Sequence, residues 1–113
     1  MPRDCRLQIE DILTAIARIR AYVQGMNYDA FAADEKTQDA VVRNLEVIGE
    51  AARVLPEEVK AETSSVDWRK VVGLRNVLIH EYFGISLPII WDILINKLDE
   101  LEAECRRMLG DLQ

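Results

Sequence analysis

Apolar side chains return along this chain at intervals of three and four residues, the period of helices packed on one side. From Asp4 to Tyr22 the recurring set is Ile9, Ile12, Leu13, Ile16 and Ile19, and Gly25 supplies a stop. A short polar-aromatic stretch, NYDAFAAD, reads as a connection whose Tyr28 and Phe31 close over the core. Asp34 can cap a second helix carrying Val41, Leu45, Ile48, Ala52 and Leu55, and Pro56 ends that helix or opens a short extra turn. In KAETSS, Ser64 or Ser65 is the expected cap of a third helix that runs to about Phe83 and closes at Gly84. Ser86 and Pro88 begin a last helix with the stripe Leu94, Leu98, Leu101, Cys105 and Met108, ending near Gly110. Strand alternation and hairpin dipeptides are absent from the sequence. The pattern predicts an all-α protein, an up-and-down four-helix bundle with a short extra helical turn, forming a single domain over residues 1–113.

The third helix departs from simple amphipathicity. At about 100° per residue, Val71, Leu74, Val77 and Leu78 share one face, a sensible core stripe. The opposite side carries Trp68, Val72, Ile79 and Phe83, interleaved with Arg75, Asn76, His80 and Tyr82. Those four polar groups fit within roughly 160° of arc. A surface of this mixture is expected to be covered, either by another helix of the same chain or by a second copy across a twofold axis. His80 is the only histidine in the chain, and it sits within the run LRNVLIHEYFG.

Composition narrows the choice. The net charge is −6, which argues against a general nucleic-acid coat. The acid is unevenly spread. Residues 26–62 hold nine acids against four bases, whereas residues 63–87 hold three bases against two acids, which leaves room for a local anion site around the histidine. Arg43, Arg53, Arg69 and Lys70 are the candidate phosphate contacts should the chain bind a nucleic-acid strand, set against the ordinary alternative of solvated surface charge. No apolar run reaches the roughly 18–20 residues of a membrane span. The N-terminal MPRDCRLQIED has acids where a signal peptide carries its apolar region, so a cytoplasmic location is expected. Cys5 and Cys105 make neither a disulfide framework nor a zinc site; they read as unbridged thiols in a reducing cytoplasm, at the same end of the molecule if the outer helices run antiparallel. A di-metal bundle reading fails because Val77 stands where a Glu-x-x-His pair needs its glutamate.

Arg75 and Asn76, with His80 four residues after Asn76 and Tyr82 beyond it, match the arginine–polar–histidine signature of HEPN-domain ribonucleases. More narrowly, GLRNVLIHEYFGIS and the upstream VVRNLEVIGEAA resemble the HepT-like toxins, from Leu7 to about Leu109. The resemblance implies a HEPN-like homodimer that cleaves RNA with no metal or other cofactor, with Arg75 and His80 catalytic and Asn76 supporting them. It also implies a minimal nucleotidyltransferase antitoxin that adds AMP to Tyr82, with RNA rather than DNA or membrane as the target. The alternative is a catalytically idle helical module that binds a nucleotidyltransferase or a nucleotide through the same surface.

Overall fold

The computed structural model describes residues 5–63, 65–73 and 87–111. Every regular element among them is helical. The first helix, α1 (Cys5–Val23), buries Ile9, Ile12, Ile16 and Ile19 of the expected stripe together with Cys5 and Ala15, while Leu13 packs half-buried against the core. It stops where the backbone turns left-handed at Gly25, φ 78°, a conformation that strains any residue with a β-carbon.

The NYDAFAAD stretch is itself a short helix, α2 (Tyr28–Ala32), and not an irregular connection. Asn27 caps it by accepting the Ala30 N–H at 2.9 Å. Five residues are too few to show a helical period, so the helix was not legible. The expected lid is present: Phe31 is fully buried and Tyr28 is half-buried. Both rings meet Trp91, with centroids 5.3 Å and 6.4 Å away respectively.

Asp34 caps α3 (Glu35–Val54), accepting from the Thr37 N–H at 3.1 Å and the Thr37 hydroxyl at 2.8 Å. These bonds favour the ionised carboxylate and hold its pKa below the usual value. Val41, Leu45, Ile48, Ala52 and Leu55 are all buried as the spacing requires. Gln38, also buried, donates to the carbonyls of Phe31 and Ala32 and so fastens α2 to the start of α3. Pro56 then opens the expected extra turn, α4 (Glu57–Ala61).

Residues 68–73 are helical. Their cap is Asp67, which accepts the Lys70 N–H at 3.3 Å, in place of the expected Ser64 or Ser65. The preceding residues are committed elsewhere: Val66 N–H bonds the Thr63 carbonyl and Trp68 N–H bonds that of Val66. Ser64 lies outside the described residues, as does Ser86.

The last expected helix is divided at Lys97 into α5 (Leu87–Asn96) and α6 (Leu98–Asp111). The ladder loosens at that point, with Lys97 N–H bonding Ile93 at 3.0 Å but Leu101 N–H reaching Lys97 only at 3.5 Å. Each half has its own partner: α5 meets α2 through Trp91, while α6 packs along α1. The stripe survives the break, since Leu94, Leu98, Leu101, Cys105 and Met108 are all buried.

Two contacts fix the direction of α6. Arg20, near the end of α1, pairs with Asp99 and with Glu102, the latter at 2.6 Å. Arg107 reaches the carbonyl of Glu62, beyond the far end of α3, at 3.4 Å. The outer helices are therefore antiparallel, but the register separates the thiols. With Arg20 level with Glu102, Cys105 stands near Ala17, about 18 Å along the bundle from Cys5 at 1.5 Å per residue. The two cysteines are buried, no disulfide joins them, and they do not share an end of the molecule.

Among the described residues, no helix is long and apolar enough to cross a membrane.

Candidate functional site

The signature residues Arg75, Asn76, His80 and Tyr82 lie outside the described residues, and so does any contact of Arg75 with the carboxylates of α3. The description covers the frame that leads into them: the loop after α4, the helical turns at 68–73, and the two sides of the bundle that these turns border.

Trp68 anchors that frame. The helical wheel sets it opposite the core stripe, yet it is 6% exposed and joins the core, because it opens its helix and folds back over the preceding loop. Its indole Nε1–H donates to the Thr63 hydroxyl at 2.6 Å. That hydroxyl, 2% exposed as a residue, donates in turn to the Lys60 carbonyl at 3.0 Å. Donor and acceptor are thus both satisfied in a buried setting, where an orphan would be costly. Val71 and Val72 pack half-buried on the core from this same start. For Trp68 the cover required by the sequence comes from its own chain. An indole held this way is a wall, not a stacking platform.

The structure divides the basic candidates. Arg53 and Arg69 border one open cleft of about 790 Å³, together with Glu57, Lys60, Asp67 and Gly73. Gly73 stands two positions before Arg75 in the chain. Lys70 instead borders a smaller cavity of about 330 Å³, whose described lining is mainly apolar and includes Leu45, Ile48, Leu101 and a second lysine, Lys97. Arg43 is exposed on α3 and borders neither.

Within the large cleft the cations differ in how firmly they are held. Arg53 grips Glu50 by two contacts, 2.7 Å and 3.2 Å, and that hydrogen bonding raises its pKa further. Lys60 has its stem buried, with only 11% of its side chain exposed, and its ammonium stands 3.7 Å from Glu57, too far for a hydrogen bond. Arg69 is exposed and has no ion-pair partner among the described residues. The sequence reading missed Lys60. Its spacing three after Glu57 looks like any solvated helical pair, and only the return of the chain at 65–69 builds a wall facing it.

A family model described as "Ribonuclease HepT-like" matches residues 12–108. The chain is 43% identical to a Methanocaldococcus jannaschii protein named "Putative RNase", over 100% of this chain and 94% of the relative. It is 38% identical to another "Putative RNase", from Caldanaerobacter subterraneus subsp. tengcongensis, over 92% and 93% of the two chains. A Thermococcus cleftensis protein named "Probable ribonuclease HepT" is 32% identical over 96% of this chain and 98% of its own. No solved structure matches the chain.

Proposed function

This chain belongs to the HepT-like ribonuclease family, and on that footing we propose that it is a metal-independent endoribonuclease, the toxin of a toxin–antitoxin pair. The observation that carries the reading is the extent of the family match: residues 12–108 enclose Arg75, Asn76, His80 and Tyr82 in their signature order.

The chemistry needs little beyond those groups. RNA brings its own nucleophile, the ribose 2′-hydroxyl. Neutral His80 takes the 2′ proton as that oxygen attacks phosphorus. A protonated imidazole gives a proton to the departing 5′ oxygen. One histidine cannot hold both states at once, so a homodimer that supplies two is the economical arrangement. Arg75 offers a planar, permanent cation to the non-bridging oxygens as charge builds on them. Asn76 orients His80 or binds phosphate. The P–O5′ bond breaks as the P–O2′ bond forms, leaving a 2′,3′-cyclic phosphate and a 5′-hydroxyl.

Control falls to a nucleotidyltransferase antitoxin. The Tyr82 phenol attacks the α-phosphorus of ATP, pyrophosphate departs, and an anionic AMP group remains beside the signature residues, where it opposes RNA by bulk and charge.

Two assays test the proposal. Purified protein should cut total RNA in excess EDTA, and His80→Ala and Arg75→Ala should each lose about 10²-fold or more of the rate. Cleavage that persists in both variants contradicts the assignment. After treatment with the cognate nucleotidyltransferase and ATP, the wild-type chain should gain the mass of one or more AMP groups, and Tyr82→Phe should gain none. A Tyr82→Phe chain that is still modified and silenced removes the role given to this tyrosine.

A further inference from the structure

We infer that the cleft bordered by Arg53, Lys60 and Arg69 holds the phosphodiester backbone of the RNA strand flanking the cut, with Arg69 as its principal contact. This rests on the ribonuclease reading above and assigns a path to the substrate.

Several features support the path. The cleft's volume of about 790 Å³ falls within the range of ligand clefts, roughly 300–1,000 Å³. It reaches Gly73, which stands two residues before Arg75 in the sequence. Its cations come from both sides, Arg53 and Lys60 from α3 and α4, Arg69 from the helical turns at 68–73. In a chain of net charge −6, such a gathering stands out.

The cleft's own carboxylates, Asp67 and Glu57, and the nearby Glu50 outside its lining have defined places. Asp67 is occupied as a helix cap, Glu50 grips Arg53, and Glu57 lies three residues before Lys60. The Lys60–Glu57 pair, at 3.7 Å with Glu57 almost wholly exposed, is loose enough for a phosphate oxygen to replace the carboxylate. Arg69, with no ion-pair partner among the described residues, binds phosphate without first giving up a salt bridge. Lys70 is the next residue in sequence but faces the smaller cavity, which makes it a control matched in charge and neighbourhood.

The test uses the full chain with His80→Ala, which keeps RNA intact, and a fluorescent single-stranded RNA oligonucleotide read by anisotropy over a salt series. Arg69→Glu should weaken binding about tenfold, the value of a charged hydrogen bond, and Lys60→Glu should weaken it less. Lys70→Glu should change it by no more than about threefold, since its charge acts only through screened solvent. Arg69→Ala should lower the slope of log affinity against log salt by ~0.7, one phosphate contact on a single strand. Cleavage of the same RNA by otherwise wild-type chains carrying Arg69→Glu or Lys70→Glu should follow the same order. Equal weakening by Arg69→Glu and Lys70→Glu, or an unchanged slope in Arg69→Ala, overturns the path and leaves the ribonuclease reading standing. A wild-type chain that neither cuts nor binds RNA overturns both.

Discussion

Replacing Thr63 by valine probes the anchor that holds the start of the helix leading toward the signature residues. Valine keeps the shape of threonine and deletes one oxygen. The Lys60 carbonyl survives the loss, because the Thr63 backbone N–H still bonds it at 3.1 Å. The Trp68 indole does not. Its N–H, bonded at 2.6 Å in a residue only 6% exposed, loses its acceptor and has little water to replace it. An orphaned buried donor costs about 1–3 kcal/mol, and the extra apolar surface of valine offsets part of that. The net expectation is a destabilisation of about 1–2 kcal/mol, or a drop in melting temperature of roughly 4–8 °C.

The diagnostic comparison is made in a Trp68→Phe background, where no indole donor remains. There Thr63→Val should cost less than about 0.5 kcal/mol, giving a coupling of at least about 0.5 kcal/mol between the two positions. Urea unfolding followed by circular dichroism at fixed protein concentration measures all four chains, independently of the altered fluorescence. If Thr63→Val costs the same in both backgrounds, the hydrogen bond contributes nothing specific and the anchor argument fails.

Three further predictions concern the bundle. Gly25→Ala should destabilise by about 1–2 kcal/mol in the same unfolding experiment, because a β-carbon is strained at φ 78° even though it meets nothing within 4 Å; an unchanged midpoint would show that the turn relaxes freely. Burial pushes the Cys105 thiol up to about 12, so a thiol reagent at neutral pH should leave Cys105 unmodified in the native protein and label it in denaturant; rapid native labelling of Cys105 would contradict its packing. Hydrogen bonding from Arg20 lowers the pKa of Glu102, so its contribution is fully present above the usual carboxylate pKa and is lost as pH falls through the lowered one. Glu102→Gln should therefore cost up to about 1 kcal/mol at neutral pH, a value limited by solvent screening of Arg20, and the gap from wild type should close in acid; a gap independent of pH would remove the ion pair from the explanation.

Local rules made most of the bundle legible in the sequence. The isoleucines of α1 and the stripe from Val41 to Leu55 are buried because helical periodicity selects one face and a core accepts it. Asp34 caps α3 as its chemistry suggests. What escaped was either too short or set at long range. The five residues of α2 cannot display a period, and Asp67 displaces the serines as cap because the Thr63–Trp68 hydrogen bond has already shaped the loop. Lys97 interrupts a helix whose apolar stripe is continuous in sequence, since α5 and α6 serve different neighbours. For the site, the family was legible from the run LRNVLIHEYFG, whose spacing survives without tertiary information. The sorting of Arg53 and Arg69 from Lys70 and Arg43 was not, because adjacent charges in sequence are assigned to different cavities only by packing.

The chemistry of the cut ends tests the central claim most directly. RNA cleaved by the purified chain in excess EDTA should yield fragments with 2′,3′-cyclic phosphate and 5′-hydroxyl termini, read by mass spectrometry of a defined oligonucleotide. Fragments ending in 3′-hydroxyl and 5′-phosphate, or RNA left whole until a divalent metal is added, would contradict it.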